Sequence, residues 1–131
     1  MEELITIPGN LPFKETVERI ISLIKGKGFT IFSCIDHAAE ARSQGLDLRP
    51  TELIIFGNPN IGTLLMQDQQ TCGIDLPVKI LVWEDATGNV WLSYNTMSSL
   101  KAKHQLTEES HAVLRKIEEV VAGICAKSIE N

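Results

Sequence analysis

Residues 53–66, LIIFGNPNIGTLLM, constrain the fold of this chain more than any other stretch. Leu53, Ile54, Ile55 and Phe56 form an unbroken apolar run, the pattern of a strand covered on both faces. Gly57 relaxes the backbone at the end of the run, and Asn58-Pro59 is a turn dipeptide. Asn60 is placed to accept from an early helical N–H, after which Ile61, Leu64 and Leu65 take helical spacing. A strand end that meets a helix start leaves free N–H groups, where an anion can sit. The same residues serve ordinary turns by satisfying local backbone, which is their commoner use. No Lys or Arg lies within the stretch to reinforce an anion.

Upstream, residues 4–7 are β-prone and stop at Pro8-Gly9. Pro12 precedes a helix over residues 13–25, whose buried stripe is Phe13, Val17, Ile20, Ile21 and Ile24. A second strand over 29–35 places Phe29, Ile31 and Ile35 on one face, Phe32 and Cys34 on the other. Asp36 is the expected N-cap of a short helix over 37–43, closed by Gly45.

Downstream of the opening stretch, residues 67–73 make a polar return. A strand over 78–84, a hairpin loop over 85–89 and a strand over 90–94 follow, with Trp83 and Trp91 near one another in register. A brief helix over 96–104 leads to the last one, over 108–127. There Leu114, Ile117, Val121 and Ile124 form the core stripe, and Glu118 reads as solvated. Strands two to five have no long crossover, which favours an antiparallel or mixed sheet with two long helices on one face. The class is α+β, in one domain over 1–131.

Helices on one face alone would leave Leu81, Trp83 and Trp91 in water. A contiguous apolar patch of this kind usually marks an interface, so a second copy of the chain is the expected cover. The chain's own last helix and loops are the alternative.

Composition narrows the function. A net charge of −5 without basic runs speaks against binding nucleic-acid phosphates. No apolar run approaches the ~18 residues of a membrane span, and no charged-then-apolar leader is seen. Cys34, Cys72 and Cys125 are scattered, lack zinc-ligand spacing and read as buried apolar thiols of a reducing, cytoplasmic protein. No phosphate-loop, GxSxG, HExxH or dinucleotide motif occurs. No metal, cofactor or catalytic residue is therefore assigned.

Polar groups at element boundaries remain: His37, Asn58, Thr63, Glu84 and His104. They are the expected contacts of a small-molecule ligand in an otherwise apolar chain. His37 or His104 with Glu84 would serve acid–base chemistry if they shared one cleft.

Several phrases resemble one family. They are Ile35-Asp36-His37, the run from Pro50 to Pro59, the run from Gly62 to Met66, Leu76-Pro77-Val78-Lys79 and Val82-Trp83-Glu84-Asp85. Val90-Trp91, Tyr94-Asn95, Leu100 and His104 continue the pattern. Together, over residues 17–106, they are similar to the bacterial and archaeal family called domain of unknown function 302. Met97 and Leu64 depart from it, standing where the family commonly has Pro. The resemblance implies a TATA-binding-protein-like fold, a strand–helix–four-strands–helix arrangement, and a homodimer. It supplies no activity and no catalytic residue.

Three readings follow. The first is a non-catalytic homodimeric domain that binds a small molecule. The second is an acid–base enzyme using His37 or His104 with Glu84. The third is a structural or protein-interaction module.

Overall fold

The computed structural model describes residues 3–130; residues 1, 2 and 131 of the expected single domain lie outside that description. Five strands form one sheet: β1 (Leu4–Pro8), β2 (Thr30–Asp36), β3 (Thr51–Gly57), β4 (Val78–Glu84) and β5 (Val90–Asn95). Their spatial order is β1-β5-β4-β3-β2, and every pairing is antiparallel. The helices are α1 (Phe13–Gly26), α2 (His37–Ser43), α3 (Pro59–Asp68), α4 (Leu100–Lys103) and α5 (Glu108–Ser128), with a 3-10 turn at Gln70–Ile74. This is the expected α+β arrangement, and the sheet is antiparallel rather than mixed.

The core lies between the sheet and the two long helices. Alternate residues of β3, β4 and β5 (Ile54, Phe56, Ile80, Val82, Leu92) meet Val17, Ile20 and Ile24 of α1 and Val121, Ile124 and Cys125 of α5. Period 2 in the strands and 3.6 in the helices bring these apolar rows together. A second, smaller cluster joins Leu65 of α3, Cys72 of the 3-10 turn, Met97, Leu100 of α4, Leu106 and Leu114 of α5.

Polar bonds fasten the smaller cluster. Asp68, the last residue of α3, accepts from Thr107 N, Thr107 Oγ1 and Ser110 Oγ, and so caps the first turn of α5 from a distant segment. Glu118 is not a solvated side chain, because its carboxylate accepts from Met97 N at 2.9 Å.

Three further expectations change. The pairing register slips by one at Phe32, between Ile31 and Ser33. Ile31 therefore pairs with core-facing Phe56, whereas Ile35 pairs with Leu53 on the opposite face, so the two isoleucines do not share a face. The cap of α3 is Asn58, whose side chain accepts from Asn60 N at 3.0 Å. Pro59 then occupies the first helical position, where its missing N–H costs nothing. Gly57 keeps a negative φ, so it is not a conformational requirement. By contrast, Asp36 caps α2 as expected, accepting from Ala39 N.

Cys72 and Cys125 are buried, as expected, but Cys34 is exposed. It lies on β2, an edge strand that no neighbour covers on one side.

Candidate ligand-binding cavity

A cavity of about 240 Å³ opens where the two apolar clusters meet. Its floor is the end of β3 and the start of β4 (Phe56, Val78), with Ile117 and Val120 of α5 on one side and Met66 of α3 on the other. Phe32, the extra residue of the register slip, supplies an outer wall and is itself half exposed. A Cβ on Gly57 would stand 3.7 Å from the Phe32 ring, and one on Gly62 would stand 3.9 Å from Leu76 Cδ1, both ordinary contact distances at the cavity wall. The walls are almost wholly apolar. Three side chains, Asn58, Thr63 and Lys116, bring polar groups to the lining.

Of the five expected contacts, the structure brings Asn58 and Thr63 to this cavity. His37, Glu84 and His104 lie elsewhere. Glu84 sits at the far end of β4, where its N–H bonds Pro50 O, eight residues back along β3 from Asn58. At ~3.3 Å per residue that is a separation of roughly 25 Å. His37 is exposed at the same far end, following Asp36, which pairs with Glu52. Two strand spacings separate its strand from that of Glu84, so the pair is on the order of 10 Å apart. In that region, burial and the neighbouring Asp36 raise the Glu52 pKa.

His104 is buried and both ring nitrogens are engaged. Nε2 lies 2.6 Å from Asp75 Oδ2, and Nδ1 lies 2.8 Å from Thr71 Oγ1. An ionised Asp75 requires Nε2–H as donor, which leaves Nδ1 of the neutral ring to accept from the threonine hydroxyl. Burial pushes the Asp75 carboxyl up, but hydrogen bonds from His104 and Lys103, with the Lys103 charge, outweigh it and hold it below the ordinary range. The cluster ties α4 to the 3-10 turn. Glu84 is at the opposite end of β4, so His104 and Glu84 do not form an acid–base pair.

The helix-free face carries Leu81, Trp83 and Trp91, all half buried. The two indoles pair in register and stack, with ring centroids 6.1 Å apart. Trp83 Nε1 donates to Ser93 Oγ and Trp91 Nε1 to Asp85 Oδ2, so the polar handles are used within the sheet and apolar ring surface faces outward. A broad hollow of about 410 Å³ lies beside Leu53, Leu81 and Trp83.

The surroundings of Cys34 disfavour its thiolate. Burial and Glu52 raise its pKa, against a smaller lowering by Lys25.

Sequence reasoning missed Lys116 and Phe32. Lys116 stands fifty positions beyond Met66, the last lining residue of α3, and reads as one more solvated residue of α5. Its relevance appears only once α5 is laid beside α3.

The model of the family described as "Domain of unknown function DUF302" matches residues 5–124, beyond the 17–106 that the motifs delimit. The chain belongs to the DUF302 family. A solved relative, an uncharacterized conserved DUF302 protein from Bacillus stearothermophilus, superposes with a TM-score of 0.87 over 99% of this chain and 100% of that one. At 18% identity, that likeness concerns the fold. Among curated proteins, Fluoride-specific ion channel FluC 1 of Brucella suis is 45% identical over 112 residues, 86% of this chain and 44% of that protein. Fluoride-specific ion channel FluC 2 of Brucella melitensis matches equally, over 42% of its length. The DUF302 chain thus spans less than half the length of the curated relatives it matches.

Proposed function

We propose that this DUF302 chain is a small, non-catalytic, cytoplasmic domain that binds a small molecule and works as a homodimer. The cavity bordered by Asn58 and Thr63 carries the binding reading, since a concave apolar pocket with a few placed polar groups is the usual form of a ligand site. The outward rings of Trp83 and Trp91, with Leu81, support the dimer. Free cysteines suit a reducing compartment. Ion conduction is no part of the proposal. No described helix is long and apolar enough to cross a membrane, and the fluoride-channel names belong to proteins more than twice as long as the matched segment.

The binding reading is tested with uncharged probes, octanol and indole, in thermal denaturation. Either should stabilise the wild type, by about 2.7 kcal/mol at a hundredfold excess over Kd. Thr63→Trp, an exposed position on the rim, should remove the effect by filling the mouth. Equal stabilisation of that variant would place binding elsewhere. Light scattering of Trp91→Glu tests the dimer: an unchanged dimer mass would remove that face as the interface.

A structural module is the second reading, favoured by the interlocked indoles and by the two polar fastenings at Asp68 and Asp75. It predicts no stabilisation by any probe.

A further inference from the structure

We infer that the ligand of the cavity is a monoanionic amphiphile of about ten non-hydrogen atoms, an apolar body in the cavity with a carboxylate at Lys116. This rests on the cavity being a ligand site and adds the ligand's charge, size and orientation.

The charge follows from the lining. Lys116 is its one ionisable residue, and neither Asp nor Glu borders the space. Among the described residues Lys116 forms no ion pair, although its helix carries Glu109, Glu118 and Glu119 and α1 across from it carries Glu15 and Glu18. The other polar lining groups can donate as well as accept. Asn58 Oδ1 is engaged by Asn60 N, which leaves the amide Nδ2 hydrogens, and Thr63 offers a hydroxyl. A rim made of one cation and two neutral donors suits an acceptor with negative charge. A cationic head would meet the like charge of Lys116 and no carboxylate to offset it.

Size follows from the volume. A cavity of ~150 Å³ holds benzene, so the ~240 Å³ found here corresponds to about ten heavy atoms. Octanoate has that size, and 3-phenylpropionate is close to it. Orientation follows from exposure: Lys116 stands in solvent at the mouth, whereas Phe56, Val78 and Val121 close the interior. The carboxylate therefore stays hydrated beside Lys116 while the apolar body is removed from water, the arrangement with the lower desolvation cost.

The test titrates the 131-residue chain with octanoate, octanol and octylammonium, followed by calorimetry and by the amide signals of Gly57 and Gly62. Octanoate should bind most tightly and shift both glycine signals. Lys116→Glu, a change on an exposed helix face, should weaken octanoate roughly tenfold and leave octanol unaffected, and only octanoate affinity should fall with added salt. Octanol binding as tightly as octanoate, or octanoate indifferent to Lys116→Glu, would overturn the charge assignment while the cavity remains a ligand site. If no probe moves Gly57 or Gly62, the site itself is refuted, and the assignment with it.

Discussion

Replacing His104 by Ala separates a structural histidine from a functional one. The ring is buried and makes two hydrogen bonds, to ionised Asp75 at 2.6 Å and to Thr71 at 2.8 Å. A bond to a charged partner contributes about 1.5–3 kcal/mol and a neutral one about 0.5–1.5 kcal/mol, so their joint loss is about 3 kcal/mol. For a domain of this length each kcal/mol moves Tm by roughly 3–4 °C, which predicts a fall of about 10 °C by circular dichroism at pH 7. A cycle with Asp75→Ala should return a coupling of about 1.5–3 kcal/mol, because each single change already removes the shared bond. Octanol binding should persist below the lowered Tm, since His104 does not border the cavity. A Tm within ~2 °C of wild type would refute the argument, because two buried bonds cannot vanish without a measurable loss.

Three more predictions concern separate features. The carboxyls of Asp68, Asp75 and Asp85 are held below the ordinary aspartate range by the hydrogen bonds they accept, from Ser110, His104 and Trp91 foremost among the donors. Their stabilisation is present above the unfolded value of ~3.9 and is lost as pH falls through the folded values, so urea midpoints should drop below about pH 4. Asp68→Asn should flatten that slope, while Glu52, raised by burial, contributes in the opposite sense. Asn58→Ala removes the cap of α3 and should cost about 1 kcal/mol, with Asn58→Asp close to wild type; equal urea midpoints for Ala and wild type would show the cap idle. Iodoacetamide should label Cys34 well before Cys72 or Cys125, yet more slowly than a free thiol because its pKa is raised; mass mapping that finds Cys72 first would contradict the burial pattern.

Most of the fold was legible because its signals are local. The stripe of α1, the Asp36 cap, the Trp83–Trp91 register and the apolar run of β3 each follow from spacing within a dozen residues. What was illegible depends on which segments meet. An exposed Cys34 follows from β2 lying at the sheet edge, which no strand sequence states. Glu118 looks solvated until Met97 is brought beside it. The choice of Asn58 over Asn60 as cap was open to local reasoning, since Pro59 prefers the first helical position. Of the boundary residues, Asn58 and Thr63 border the cavity because they flank α3's first turns, while His37 and Glu84 belong to strand ends that antiparallel pairing carries to the other end of the sheet.

The slip at Phe32 couples the cavity to the strand pairing. Ile31 pairs with Phe56 and Ser33 with Ile55, so excising Phe32 alone would leave a ladder with uninterrupted pairing between β2 and β3. Such a deletion would take away the outer wall of the cavity while leaving both cores, the helices and the Trp pair in place. A one-residue length change in an edge strand is thus enough to open the outer side of the cavity without touching either core.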